Sequence, residues 1–241
     1  RSWSFALLSA DWLRIRWRDV REYLGIGIPS GLQIIFEVSA FVFAAIMMGW
    51  IGEVTLAAHQ IAINVAATTF MVTLGISFAT CVRVGQHFGR GDYEALRRAG
   101  MVGWSINTLF MTTCMGALLL FRDWIPRWFV DEAPVIRMAS SLLVIAAMFQ
   151  VFDGIQITMM SALRGMRDIK IPTFVVMFVY YGVCLPLAYF LGFGLDWGGR
   201  GIWAGLAVGL GLSAAARTSR CRQKTRTPLA AAAPATATPT G

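Results

Sequence analysis

A chain of 241 residues with 57% hydrophobic and 14% charged residues and a mean hydropathy of +0.63 is too apolar for a soluble domain, where about 45–50% apolar and about 25% charged residues are usual. The net charge of +8 raises nucleic acid as a partner. The charge sits in alternate loops rather than on one patch, and this excludes that reading.

The first segment, residues 1–25, reads as a cytoplasmic linker. Its stretch Trp12–Leu24 mixes Trp and Leu with four Arg, which predicts an interfacial amphipathic helix. The chain opens on Arg1 without a signal peptide and reads as part of a longer protein. A six-helix region follows over 26–216. Its apolar runs lie at 26–50, 59–82, 100–121, 135–163, 172–194 and 200–216, the last short and rich in Gly and Ala. Each is matched against the ~20 residues that cross a bilayer. The alternation of transmembrane strands is absent. The fold class is therefore all-α, a polytopic membrane protein with six transmembrane helices. Residues 217–241 read as a basic and then disordered Ala/Pro/Thr-rich cytoplasmic tail.

The loops set the orientation. Arg1, Arg14, Arg16, Arg18 and Arg21 precede the first run. Arg83, Arg90, Arg97 and Arg98 follow the second, and Arg164, Arg167 and Lys170 follow the fourth. Arg217, Arg220, Arg222, Lys224 and Arg226 follow the sixth. The opposite loops hold Arg122, Arg127 and Arg200, with Trp50, Trp124 and Trp128 at their boundaries. The positive-inside rule and the aromatic belt then place both termini in the cytoplasm. Pro29, Pro134 and Pro172 are expected in the first turn or so of their helices, where a missing N–H is harmless. Pro186, well inside the fifth run, is expected to kink it. Cys81, Cys114, Cys184 and Cys221 match no metal or disulfide spacing. The first three read as small apolar residues, and Cys221 also as an acylation candidate.

Two acids break the pattern. Glu37 lies in the first run and Asp153 in the fourth. A carboxylate at the bilayer centre costs about 2.5–3.5 kcal/mol on insertion scales, so it marks a cavity, a partner or an ion. At a helical rise of ~1.5 Å per residue both lie about 16–18 Å from the cytoplasmic end. No Lys or Arg falls in the middle of a predicted span, so no internal cation is expected beside them. Gln33 is one turn before Glu37, and Gln156 is three residues after Asp153. Gln60 and Asn64 form a stripe at the outer end of the second run. These amides read equally as ion or substrate ligands and as helix–helix glue. His59 reads as an interfacial residue, and Phe36, Phe41, Phe149 and Phe152 flank the acids. A Ser/His dyad and metal-ligand spacing are both absent from the runs, which argues against an enzyme.

Several motifs in order resemble the MATE (multidrug and toxic compound extrusion) transporters, over about residues 12–215. Gly27-Ile-Pro-Ser-Gly-Leu-Gln33 with Glu37-Val-Ser-Ala-Phe41 resembles the start of that family's seventh helix. Leu56-Ala-Ala-His-Gln-Ile-Ala-Ile-Asn64 resembles the turn into its eighth, and Val84-Gly-Gln-His-Phe-Gly-Arg-Gly-Asp92 the loop after that. Phe152-Asp153 with Gln156, then Leu163-Arg-Gly-Met-Arg-Asp168, resembles the tenth helix and its exit.

What the resemblance implies is the C-terminal lobe of a NorM-type exporter in the bacterial cytoplasmic (inner) membrane. Such a protein moves organic cationic drugs or dyes outward against inward Na⁺ or H⁺ and uses no cofactor. Glu37 and Asp153 then map to the family's coupling acids, with Na⁺ as a metal they would hold. Drug contacts fall near Gln60, Asn64 and Glu132. Phe149, one turn before Asp153, lacks a hydroxyl to offer the ion. The family has two six-helix lobes. The expected partners are therefore the N-terminal lobe or a second copy, together with membrane lipid. Two other readings are a flippase of lipids or lipid-linked sugars, which predicts a basic cavity, and a non-transporting truncated fragment.

Overall fold

The computed structural model describes residues 17–226. Residues 12–16 of the expected interfacial helix and 227–241 of the expected tail lie outside the described residues. Among the described residues there is no strand, and the all-α reading holds.

Six rods follow one another. Helix α1, Trp17–Ile51, runs unbroken, so the Trp17–Leu24 stretch leads straight into the first span. Pro29 consequently sits inside the helix, which corrects its expected place in the first turn. Its ring crowds the carbonyl four residues back, and that residue is Gly25, which meets nothing within 4 Å. The Pro29 carbonyl also accepts a hydrogen bond from Thr173 Oγ1 at 3.1 Å.

Helix α2, Glu53–Arg90, ends on Gly91 in the left-handed region (φ 70°). There the Gly91 and Asp92 N–H groups bond back to the Phe88 and His87 carbonyls, a glycine-dependent helix stop. Asp92 at once caps helix α3, Tyr93–Phe121, by accepting from the Ala95 N–H at 3.0 Å. The Gly-Arg-Gly-Asp92 stretch is thus a stop-and-start hinge of two helices. A 3₁₀ turn, Ile125–Trp128, leads to α4, Ala133–Gly165, with Pro134 in its first turn as expected.

The fifth rod alternates in type. It begins as α5, Lys170–Met177, widens to a π segment over Phe178–Cys184, and returns to α6, Leu185–Tyr189. It widens again over Phe190–Gly194. The irregularity expected at Pro186 takes this form. The Leu185 N–H reaches the Tyr180 carbonyl, one residue further back than in an α-helix. The wider turn makes room for the proline ring and re-aims the side chains before it.

Helix α7, Gly198–Arg226, closes the bundle. Five helices among the described residues are long and apolar enough to cross a membrane, and α7 is not one of them. It is instead packed inside, against α4 and the fifth rod. A stripe of Gly201, Gly205 and Gly209 lets its backbone approach closely. A Cβ on Gly201 would strike the Leu191 backbone, one on Gly205 the Ala188 backbone, and one on Gly209 the Cys184 side chain. Replacing Gly205 with Leu should therefore cost at least about 3 kcal/mol, since the obstacle is backbone that cannot rotate away. The heat-unfolding midpoint of the detergent-solubilised variant reads this. An unchanged midpoint would mean the two rods are not in contact.

An even number of alternating rods brings both described ends to the same end of the bundle. Trp50, Trp124, Trp128 and Trp197 lie at the other end and are exposed. All four cysteines are free, and Cys221 packs beside a small cluster of Val84, Leu96 and Leu163.

Candidate functional site

Three helices build the site. The α1 face carrying Gln33, Glu37 and Phe41 repeats every four residues. The α4 face carrying Phe149, Asp153, Ile157 and Arg164 stands opposite. Ala66, Phe70 and Phe78 of α2 form the third wall of a cavity of about 410 Å³. Glu37 and Asp153, matched in depth by sequence spacing, both line it.

The two acids are held differently. Glu37 Oε1 accepts from Gln156 Nε2 at 2.5 Å and from the Tyr180 hydroxyl at 3.3 Å. Tyr180 is delivered by the π segment, and Gln156 Nε2 donates to its hydroxyl as well, at 3.1 Å. The next residue, Tyr181, also reaches α1. Its hydroxyl hydrogen-bonds Ser39, and its ring meets Phe36 edge-on at 5.8 Å. On its other side Glu37 Oε2 faces Arg217 of α7 at 3.8 Å. Asp153 lines the cavity wall without a hydrogen bond among the described residues.

Arg217 overturns the expectation that no cation would stand by the acids. The apolar run of the sixth segment stops at Ala216, so the sequence assigns Arg217 to the tail. The helix continues to Arg226 and carries Arg217 into the interior, where it is 1% exposed. Three residues further on, Arg220 and then Lys224 clasp Asp168 at 3.0 and 3.7 Å, which anchors this end of α7 to the α4–α5 turn.

The remaining predicted residues divide. Gln33 lines the cavity and donates to Met160 Sδ at 3.1 Å. Phe149 lines it too, with its ring packed on Trp203 at 5.3 Å. Gln156 joins through Glu37. Gln60, Asn64 and Glu132 are exposed and do not line this cavity. Phe41 is on the wall, whereas Phe152 faces outward. His59 is a correction. It is buried rather than interfacial, and its Nδ1 accepts from Trp203 Nε1 at 3.1 Å. The sequence places it at a span boundary, but α7 covers it with the one Trp that can hydrogen-bond it.

Tyr180 and Arg217 were not singled out from the sequence. A pair of tyrosines next to a mid-span proline was the available signal for the first. The second had none that hydropathy could read.

The donor set suits a hard cation. Besides the two carboxylates, the buried oxygens Gln33 Oε1 and Gln156 Oε1 accept no hydrogen bond among the described residues. Carboxylate and amide oxygens are the ligands such ions take. No group of three or more His, Cys, Asp or Glu placed to hold a metal ion exists among the described residues. Replacing Gln156 with Leu should remove the shorter hydrogen bond to Glu37 and cost about 1.5–3 kcal/mol, as for a bond to a charged group. Heat unfolding in detergent checks this, with Gln156→Glu as the comparison that puts two like charges together and should cost more.

Beyond the cavity, a second polar knot ties α2, α3 and α4. Asn107 Nδ2 donates to Ser77 Oγ at 3.0 Å and to Thr158 Oγ1 at 2.5 Å, all fully buried. It holds the far side of α4 while the cavity face stays open.

Residues 29–190 match the model of the MatE family. The chain is 43% identical over 195 residues to a protein named "Probable multidrug resistance protein NorM" from Xanthomonas axonopodis pv. citri. That match covers 81% of this chain and 43% of the relative. A protein of the same name from Pseudomonas aeruginosa is 43% identical over 196 residues, covering 79% and 40%. The chain therefore spans less than half the length of these curated relatives. Among solved structures, a MATE in the bent conformation superposes with a TM-score of 0.83 at 18% identity, covering 90% of this chain and 48% of the other. An outward-facing multidrug resistance MATE family transporter of the MOP superfamily gives 0.80 at 20% identity, covering 88% and 48%.

Proposed function

This chain belongs to the MatE family, and we propose on that premise that it is one lobe of a multidrug efflux transporter. In this reading it exports organic cations across the bacterial cytoplasmic membrane in exchange for Na⁺ or H⁺. Glu37 and Asp153 hold the coupling cation. Both described ends face the cytoplasm, where the basic loops lie.

The observation that carries the reading is the pair of carboxylates from α1 and α4 lining one cavity, with two unengaged amide oxygens beside them. A cation entering there meets two carboxylates and oxygen donors on walls that are apolar apart from Arg164. Binding is worth most where water is scarce. The ion and an organic cation then compete for the same charge, which is how the gradient of one expels the other. The half-length match supports a second lobe, or a second copy, opposite the α1–α2 side. There Ile34, Val38, Met71 and Phe78 are exposed.

A C-terminal tag read by intact mass and crosslinking in the native membrane tests the assembly, and ethidium efflux from the same cells tests the activity. A species near twice 26.5 kDa, or a crosslinked pair, together with gradient-dependent efflux, is the expected result. A single half-length chain without efflux would sink the reading and leave a non-transporting fragment.

One observation favours a second reading. Arg164 lines the cavity, and a basic wall suits an anionic headgroup. Lipid flipping would then appear as headgroup translocation in vesicles without ethidium transport.

A further inference from the structure

Arg217 is a buried charge that no hydrogen bond holds among the described residues. It is 1% exposed, yet Nε and both terminal nitrogens lack a hydrogen-bond partner among the described residues. Its one ion pair there, to Glu37 Oε2 at 3.8 Å, is too long to be a hydrogen bond. A buried arginine kept for structure is usually clasped, often by two parallel bonds to a carboxylate at about 2.7–2.9 Å. Glu37 turns its other oxygen to Gln156 and Tyr180 instead. Ser213, one turn before Arg217 on the same face of α7, is also buried with its hydroxyl unpartnered. The guanidinium is therefore held by charge alone, attracted by Glu37 and by Asp153 and repelled by Arg164.

We propose that Arg217 is a tethered internal cation that neutralises Glu37 while the site is empty, and that the coupling cation must displace its influence to bind. This rests on the reading of Glu37 as the coupling acid and adds the residue that sets how much cation is needed. Two cations near one carboxylate repel, so Arg217 weakens ion binding. It also spares the membrane an unpaired carboxylate between transport cycles. Because no hydrogen bond ties Arg217 to Glu37, the exchange breaks none.

The test is ion-dependent heat unfolding of the full chain in detergent. Sodium chloride is titrated against choline chloride at fixed pH, and pH is titrated at fixed salt. A ligand that binds only the folded form raises its midpoint by mass action, so the concentration dependence reports affinity. Arg217→Met should respond at about tenfold lower concentration of whichever cation acts, Na⁺ or H⁺, the fold-change a modest like-charge repulsion implies. Arg217→Lys should behave as the wild type. A merely structural role would move the midpoint at every concentration and leave the concentration dependence alone, and that result would overturn the proposal. If Glu37→Gln loses the response while Arg217→Met keeps the wild-type one, this inference fails and the coupling reading stands. If Glu37→Gln responds as the wild type does, the coupling reading itself fails, and this inference with it.

Discussion

Replacing Glu37 with Gln is expected to reduce gradient-driven ethidium efflux to the level of cells lacking the protein. Gln keeps the size of the side chain and an oxygen that can accept from Gln156 and Tyr180. It removes the charge for which ion and drug compete. A ligand shifts a conformational equilibrium only by its differential affinity for the two states, so an ion that no longer binds there cannot drive export. The substitution also strands Arg217, which is 1% exposed and faces a Glu37 side chain that is 19% exposed. Breaking one side of a buried pair costs about 3–5 kcal/mol, and the long 3.8 Å contact places this case at the low end. Loss of efflux in the single variant could thus reflect loss of protein. The double variant Glu37→Gln with Arg217→Met separates the two. It should recover most of the stability and none of the efflux. Wild-type efflux in either variant would remove Glu37 from the coupling role.

The matched depth of Glu37 and Asp153 was legible from the sequence because it follows from rise per residue, whereas their meeting at one cavity depends on how the helices pack. Six rods, their order and the all-α class were legible for the same reason, since apolar run length is a one-dimensional signal. The partners of Glu37 were not. Tyr180 reaches it through a π segment, a change in helical pitch that no periodicity of 3.6 anticipates. Arg217 reaches it because α7 is buried by Gly201, Gly205 and Gly209 rather than by hydropathy. A scale that scores lipid exposure ends the helix at Ala216, whereas backbone packing carries it a further ten residues, to Arg226. His59 was misplaced for the same reason: its environment is made by Trp203, on the helix with the weakest apolar signal. Glu132 came from family resemblance, and Gln60 and Asn64 from their polar stripe as well; all three are exposed, and none lines this cavity.

Asp153 should behave differently from Glu37 when its charge is removed. No hydrogen bond among the described residues holds it, and its neighbours on the cavity wall are Phe149, Ile157 and Met160. A carboxylate in such surroundings is tolerated for function rather than stability, since burying an unpaired charge is unfavourable. Asp153→Asn should therefore leave the unfolding midpoint unchanged or raise it, where Glu37→Gln lowers it. Efflux should nonetheless fall by at least about 100-fold. Losing one of two anionic ligands of a cation in a partly dry site removes several kcal/mol of attraction at an effective dielectric of about 20. Asn keeps one oxygen for the ion and Glu37 keeps its charge, so residual transport at high sodium or low pH is expected from this variant. Efflux at stepped sodium and pH, alongside the unfolding midpoint, reads both effects. A destabilised Asp153→Asn with intact efflux per molecule would assign Asp153 to the fold and leave Glu37 as the sole coupling acid.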